Sequence, residues 1–124
     1  MKGSAQTVAV LGASDKPDRF SNMAVRLLRQ HGHSVIPVHP RLEQIESIPV
    51  AKSLSAITEP VDTLTMYVGA PRSAPMEAAI VALRPGRVIF NPGSESPQLE
   101  TALTAAGIPF FRNCTLVLLR NGSF

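Results

Sequence analysis

The 124-residue chain carries twelve Lys and Arg against nine Asp and Glu, a formal charge of +3, with 44% hydrophobic and 17% charged residues. Such a composition excludes a disordered chain, and the length suits one domain, residues 1–124, with a core of its own. The sparse aromatics and absent Lys/Arg runs exclude the basic-aromatic pattern of a nucleic-acid binder, and a single cysteine excludes disulfide frameworks and Cys-cluster zinc sites.

In chain order, Val8-Ala9-Val10-Leu11 is a short, continuously apolar strand, followed by a loop, residues 12–20. Ser21 is expected to cap a helix whose apolar face is Ala24, Leu27, Leu28 and His31, and Gly32 to end it in the left-handed conformation. Val35-Ile36-Pro37-Val38 is the second strand. The pattern then weakens between Arg41 and Pro60, where Ile48-Pro49-Val50 reads as an edge strand and residues 53–57 as one or two helical turns. Leu64-Thr65-Met66-Tyr67-Val68 is the next strand. Ser73 and Pro75 are expected to open a helix bearing Met76, Ala79, Ile80 and Leu83, with Gly86 as its cap. Val88-Ile89-Phe90 follows, then Ser96-Pro97 opening a helix with Leu99, Ala102, Leu103 and Ala106 on one face. Gly107 and the apolar residues 108–111 come next, and periodicity leaves Thr115-Leu116-Val117-Leu118-Leu119 open between strand and helix.

Apolar strands alternating with amphipathic helices predict an α/β fold: a Rossmann-like open parallel sheet of about five strands with helices on both faces. No apolar run approaches membrane-spanning length and no signal-peptide core follows Met1-Lys2, so the chain is expected in the cytoplasm, away from membranes.

Ligands of such sheets bind at the C-terminal strand ends. After the first strand, Gly12-Ala13-Ser14 with Lys16, Arg19, Ser21 and Asn22 offers a tight turn, hydroxyls, cations and helix-start amides, which suit an anion site, while Asp15 and Asp18 cancel the local charge and suit a solvated surface turn; the loop alone leaves both readings open. This loop is neither G-x-G-x-x-G nor a Walker A loop. After the second strand, Val38-His39-Pro40-Arg41 lacks the carboxylate of NAD sites until Glu43, favouring a ribose that carries a phosphate, as in NADP or coenzyme A. Arg72 follows the third strand.

Gly12-Ala13-Ser14 with Lys16-Pro17-x-Arg19, Ser21-Asn22, Gly32-His33-x-Val35-Ile36-Pro37-Val38-His39-Pro40 and Asn91-Pro92-Gly93-Ser94-Glu95 closely resemble the small stand-alone CoA-binding domain proteins. Those are similar to the N-terminal CoA-binding domain of the succinyl-CoA synthetase alpha subunit. The resemblance implies that the first loop holds the CoA pyrophosphate, with Val38, His39, Pro40 and Arg41 flanking the adenosine and its 3′-phosphate. It further implies that Tyr67 and Val68 line the adenine side, and that Asn91, Pro92, Gly93 and Glu95 lie near the pantetheine arm. His39 departs from the Asn common at that position.

The synthetases' phosphorylated histidine and nucleotide-grasping module have no counterpart in a chain this short. The expectation is a binder of CoA or an acyl-CoA that acts as carrier, sensor or partner module without turnover of its own. Two alternatives stand beside it: an NADP-dependent or acyl-CoA-processing enzyme using Glu95 or Cys114, and an interaction protein with a vestigial nucleotide site. In the last, the apolar Leu116 to Leu119 segment docks a protein partner or a second copy.

Overall fold

Strand alternation decides which face each residue reaches. A computed structural model describes residues 4–124. Its elements in chain order are β1 (Thr7–Leu11), α1 (Phe20–Gln30), β2 (Ser34–Val38), β3 (Gln44–Ile45), β4 (Ile48–Pro49), β5 (Thr63–Met66), α2 (Ala70–Ser73), α3 (Glu77–Leu83), β6 (Arg87–Phe90), α4 (Pro97–Ala105), β7 (Phe110–Arg112) and α5 (Thr115–Arg120). Val8 and Val10 of β1 pack on one side with Val25 and Leu28 of α1, Ile45 of β3 and Leu119 of α5. Ala9 and Leu11 point the other way, joining Leu64, Met66, Val88 and Phe90 under Leu54, Ile80, Leu99 and Leu103. Each fully buried Val, Leu or Ile contributes about 1.5–3 kcal/mol.

The main sheet runs β2-β1-β5-β6-β7 with every neighbour parallel. β1 therefore lies between the second and third strands of that sheet, and the chain changes sides between β1 and β5. The α/β fold with a five-stranded parallel sheet and helices on both faces is as expected from the sequence.

Several local expectations are corrected. Within the stretch 41–60 the expected edge strand is β4 and Leu54–Ala56 form the expected helical turn; what the sequence did not show is β3, which pairs antiparallel with β4 across Glu46 and Ser47, both with positive φ, 52° and 65°. A parallel bridge pairs Val38 with Ala51, and Ala51 N–H donates to the Pro37 carbonyl at 2.9 Å. Pro37 is tolerated because its missing N–H faces this sparsely paired edge.

Ser21 is not a cap: α1 opens one residue before it, at Phe20, with Arg19 in the cap position and no side-chain cap. The Arg19 N–H to Lys16 carbonyl turn (3.1 Å) starts the helix early and leaves Ser21 buried in its first turn. Ser73 likewise ends α2, which begins after Gly69 with a proline in its first turn. Gly86 is not the cap of α3 either, since Arg84 takes the left-handed position (φ 49°). Glycine is required at 86 for another reason: a Cβ there would sit 2.7 Å from the Asp62 carbonyl oxygen. Ser96 does cap α4, its Oγ accepting from Leu99 N–H at 3.1 Å. The tail is settled as helix α5.

Candidate functional site: a cationic crevice at the sheet's switch point

Gly12 makes the turn out of β1 with φ +88°, and a Cβ there would lie 2.8 Å from Val68 Cγ1 and 2.9 Å from the Tyr67 carbonyl oxygen. Only glycine lets the first loop lie this close to the end of β5. The Ser14 hydroxyl then accepts from Lys16 N–H (3.1 Å), and buried Asn22 donates to the Ser14 carbonyl (2.9 Å) and to Glu46 Oε2 (3.1 Å). Asn22 thus ties the loop to both α1 and the hairpin.

Between this loop, the turn after β2, the segment after β4 and the start of α2–α3 lies a crevice of about 700 Å³. Among the residues expected at a site, Gly12, Ala13, Ser14, Lys16, Arg19, Val38, His39, Pro40, Arg41, Val68 and Arg72 line it. Ser21 and Asn22 lie buried beneath the first loop rather than on the wall. Tyr67 packs on the α1 side of the sheet, its hydroxyl buried without a partner among the described residues, and burial pushes its pKa up, holding the phenol protonated.

The loop after β6 neighbours the crevice without lining it. A Cβ on Gly69 would lie 3.7 Å from the Gly93 carbonyl oxygen, which marks how near the two loops run. Asn91 is turned inward. Its amide nitrogen donates to Thr65 Oγ1 (2.7 Å) and the Met66 carbonyl (2.8 Å), while Oδ1 accepts from Thr115 N–H (2.8 Å). Pro92 and Gly93 are exposed, and Glu95 Oε1 accepts from Gly93 N–H at 3.0 Å. Cys114, in the cap position of α5, also lies off the wall. Leu116, Leu118 and Leu119 are buried, so only Val117 of the apolar tail run remains exposed.

Sequence reasoning missed Lys52, Ser53 and Ser55, which reach the crevice because Ala51 pairs beside Val38. It also missed the apolar wall of Leu54, Met76 and Ala79. Local patterning carried no sign of the bridge that brings residues 52–55 to the site.

The wall holds five cations, Lys16, Arg19, Arg41, Lys52 and Arg72, against one carboxylate, Asp15. This surplus of four exceeds the chain's own surplus of three, so the rest of the molecule carries a slight negative excess. The first turn of α1 has neither an acidic residue nor a side-chain cap, leaving its amides and dipole available to an anion. Lys52 Nζ donates to Glu43 Oε2 (2.8 Å) and to the Arg41 carbonyl (2.9 Å), and this pairing holds the Glu43 carboxyl below its ordinary range. His39 Nδ1 accepts from the Arg41 and Leu42 amides at 3.0 and 3.1 Å. Burial, then the nearby Arg41, lowers its ionisation.

A doubly wound α/β domain with a cationic crevice at its switch point is the class that fold and site define. The chain belongs to the CoA binding domain family, whose model matches residues 6–120. It is similar to the uncharacterized protein YneT of Bacillus subtilis, 32% identical over 63 residues, a match spanning 51% of this chain and 47% of that one. The match thus covers about half of that relative. A solved structure from Thermus thermophilus is 34% identical, with 97% of this chain and 91% of that chain covered and a TM-score of 0.89. The dinucleotide-forming acetyl-coenzyme A synthetase 1 of Ca. Korarchaeum cryptofilum, in complex with phosphate and ADP, shares the fold at 16% identity and a TM-score of 0.75. That likeness covers 89% of this chain and 26% of the synthetase.

Proposed function

We propose that the protein binds coenzyme A or an acyl-CoA in the switch-point crevice and acts as a carrier, sensor or partner module without turnover of its own. The observation that carries this is the convergence of five cations from separate segments on one crevice that also has an apolar wall. Polyphosphate and apolar surface in one ligand match that pairing, and membership of the CoA binding domain family supports it.

In this reading the Gly12-Ala13-Ser14 turn, Lys16, Arg19 and the start of α1 hold the pyrophosphate. Arg41 and Lys52 face the ribose 3′-phosphate, and Leu54, Val68, Met76 and Ala79 cover the apolar portion. Asn91 and Asn22 serve by fixing the strand-end loops through the hydrogen bonds they make. Glu95 and Cys114 have no place on the crevice wall, so the proposal assigns them no chemistry.

Calorimetric titration tests the assignment. CoA is expected to bind about tenfold tighter than 3′-dephospho-CoA, as the loss of a charge-assisted contact implies, with the gap narrowing in Arg41→Ala. Equal affinity for the two would remove the 3′-phosphate assignment. Stabilisation against heat by NADP and not by CoA would overturn the proposal and favour the NADP reading.

A further inference from the structure

We propose that His39 is a positioning residue: its neutral imidazole holds the 39–43 turn, and with it Arg41 and Lys52, in the conformation that receives phosphate, so that protonating His39 opens the turn and weakens binding. The effect on affinity rests on the CoA reading above. The turn itself does not.

The geometry is a single acceptor shared by two donors. His39 Nδ1 takes hydrogen bonds from the amides two and three residues ahead, Arg41 at 3.0 Å and Leu42 at 3.1 Å. His39 N–H also donates to the Ala51 carbonyl at 3.1 Å, anchoring the turn's start beside the segment that carries Lys52. Lys52 closes the circuit, its Nζ donating to the Arg41 carbonyl and to Glu43. A neutral histidine with Nδ1 as acceptor carries its proton on Nε2. An imidazolium has N–H groups at both nitrogens, so Nδ1–H would face two further donors and both amides would lose their partner.

The charges facing His39 are Arg41 on its own turn, Asp15 from the loop after β1, Lys52 from the segment after β4 and Arg72 from α2. Three cations against one carboxylate resist an added positive charge, and burial acts in the same direction. A bound phosphate would favour the imidazolium, but between solvated groups that gain is small. It does not offset two lost hydrogen bonds and a displaced Arg41.

Asparagine separates these effects, because its Oδ1 accepts from amides two residues ahead in an Asx turn and does not titrate. Calorimetry with CoA at about pH 7.5 and about pH 5.5 should show wild-type affinity falling about fivefold more than that of His39→Asn, a comparison in which protonation of the ligand cancels. His39→Ala should bind weakly at both pH values. In the ligand-free protein, the Arg41 and Leu42 amide resonances should move, and their exchange protection fall, along the His39 imidazole titration; in His39→Asn they should stay fixed. Parallel pH profiles for wild type and His39→Asn, a wild-type affinity that rises in acid relative to His39→Asn, or amides indifferent to the imidazole would each overturn the inference. Failure of the wild type to bind CoA at any pH would instead remove the CoA reading, and the resonances would still decide the turn.

Discussion

At the scale of single residues, two histidines do similar work at different places. His33 Nδ1 accepts from Gln6 N–H at 3.0 Å, joining the start of β2 to the residue preceding β1, and its ring packs against Phe124 with centroids 5.1 Å apart. Burial, then His31 and Arg87, lower its ionisation from the ordinary value of 6.5. A cation-forming group whose folded value is depressed favours the folded state fully above 6.5, and that contribution is lost as pH falls below 6.5 through the folded value. Unfolding by urea should therefore show a midpoint that declines from about pH 7 to about pH 5, and His33→Leu should flatten the decline. An unchanged slope in that variant would place the acid sensitivity elsewhere. Neither histidine's hydrogen-bonding role was legible in the sequence, where His33 merely flanks Gly32 and His39 only follows a strand end. A ring nitrogen's partner depends on which backbone amide the fold carries past it.

Among the elements, the β3–β4 hairpin shows how tertiary contacts settle a weakly patterned segment. Its turn needs left-handed backbone at both central residues, the conformation that selects Asn-Gly, yet the sequence supplies Glu46 and Ser47. The turn is held from α1 instead: Arg29 Nη1 donates to the Glu46 carbonyl (2.6 Å) and Asn22 to its carboxylate. Left-handed backbone costs a non-glycine residue about 1–2 kcal/mol, partly offset in a Gly variant by the greater entropy of its unfolded chain. Ser47→Gly is accordingly expected to stabilise the protein by about 0.5–1 kcal/mol, read from the denaturant midpoint. Destabilisation would mean that the exposed Ser47 side chain matters in some other way. Helix starts differ in what the sequence can signal. Ser96-Pro97 marks α4 correctly because the serine side chain makes the cap, whereas α1 opens on the backbone turn from Lys16 to Arg19 and α2 after Gly69, neither with a side-chain cap.

For the molecule as a whole, charge distribution matters more than net charge. The modest surplus of three conceals a crevice surplus of four, and a ligand held there by phosphates should feel it. CoA affinity is expected to fall about tenfold between about 0.05 and about 0.5 M salt, with a shallower dependence in Lys16→Ala/Arg19→Ala. A salt-independent affinity would transfer the binding energy to the apolar wall.

The sequence by itself determined the architecture, because short apolar strands alternating with amphipathic helices have few other ways to bury both faces of a sheet. It also determined much of the crevice rim, since Gly12, Ser14, Lys16, Arg19, His39 and Arg41 follow strand ends and strand ends meet at one edge. Only the tertiary structure decided which strand-end residues face the crevice. Asn91 is consumed by Thr65, Met66 and Thr115, and Tyr67 turns to the opposite face of the sheet. Lys52 and the 53–55 segment arrive through a pairing between Val38 and Ala51. Those outcomes rest on contacts between residues distant in the chain, whereas periodicity and capping record only what neighbours along the chain require of one another.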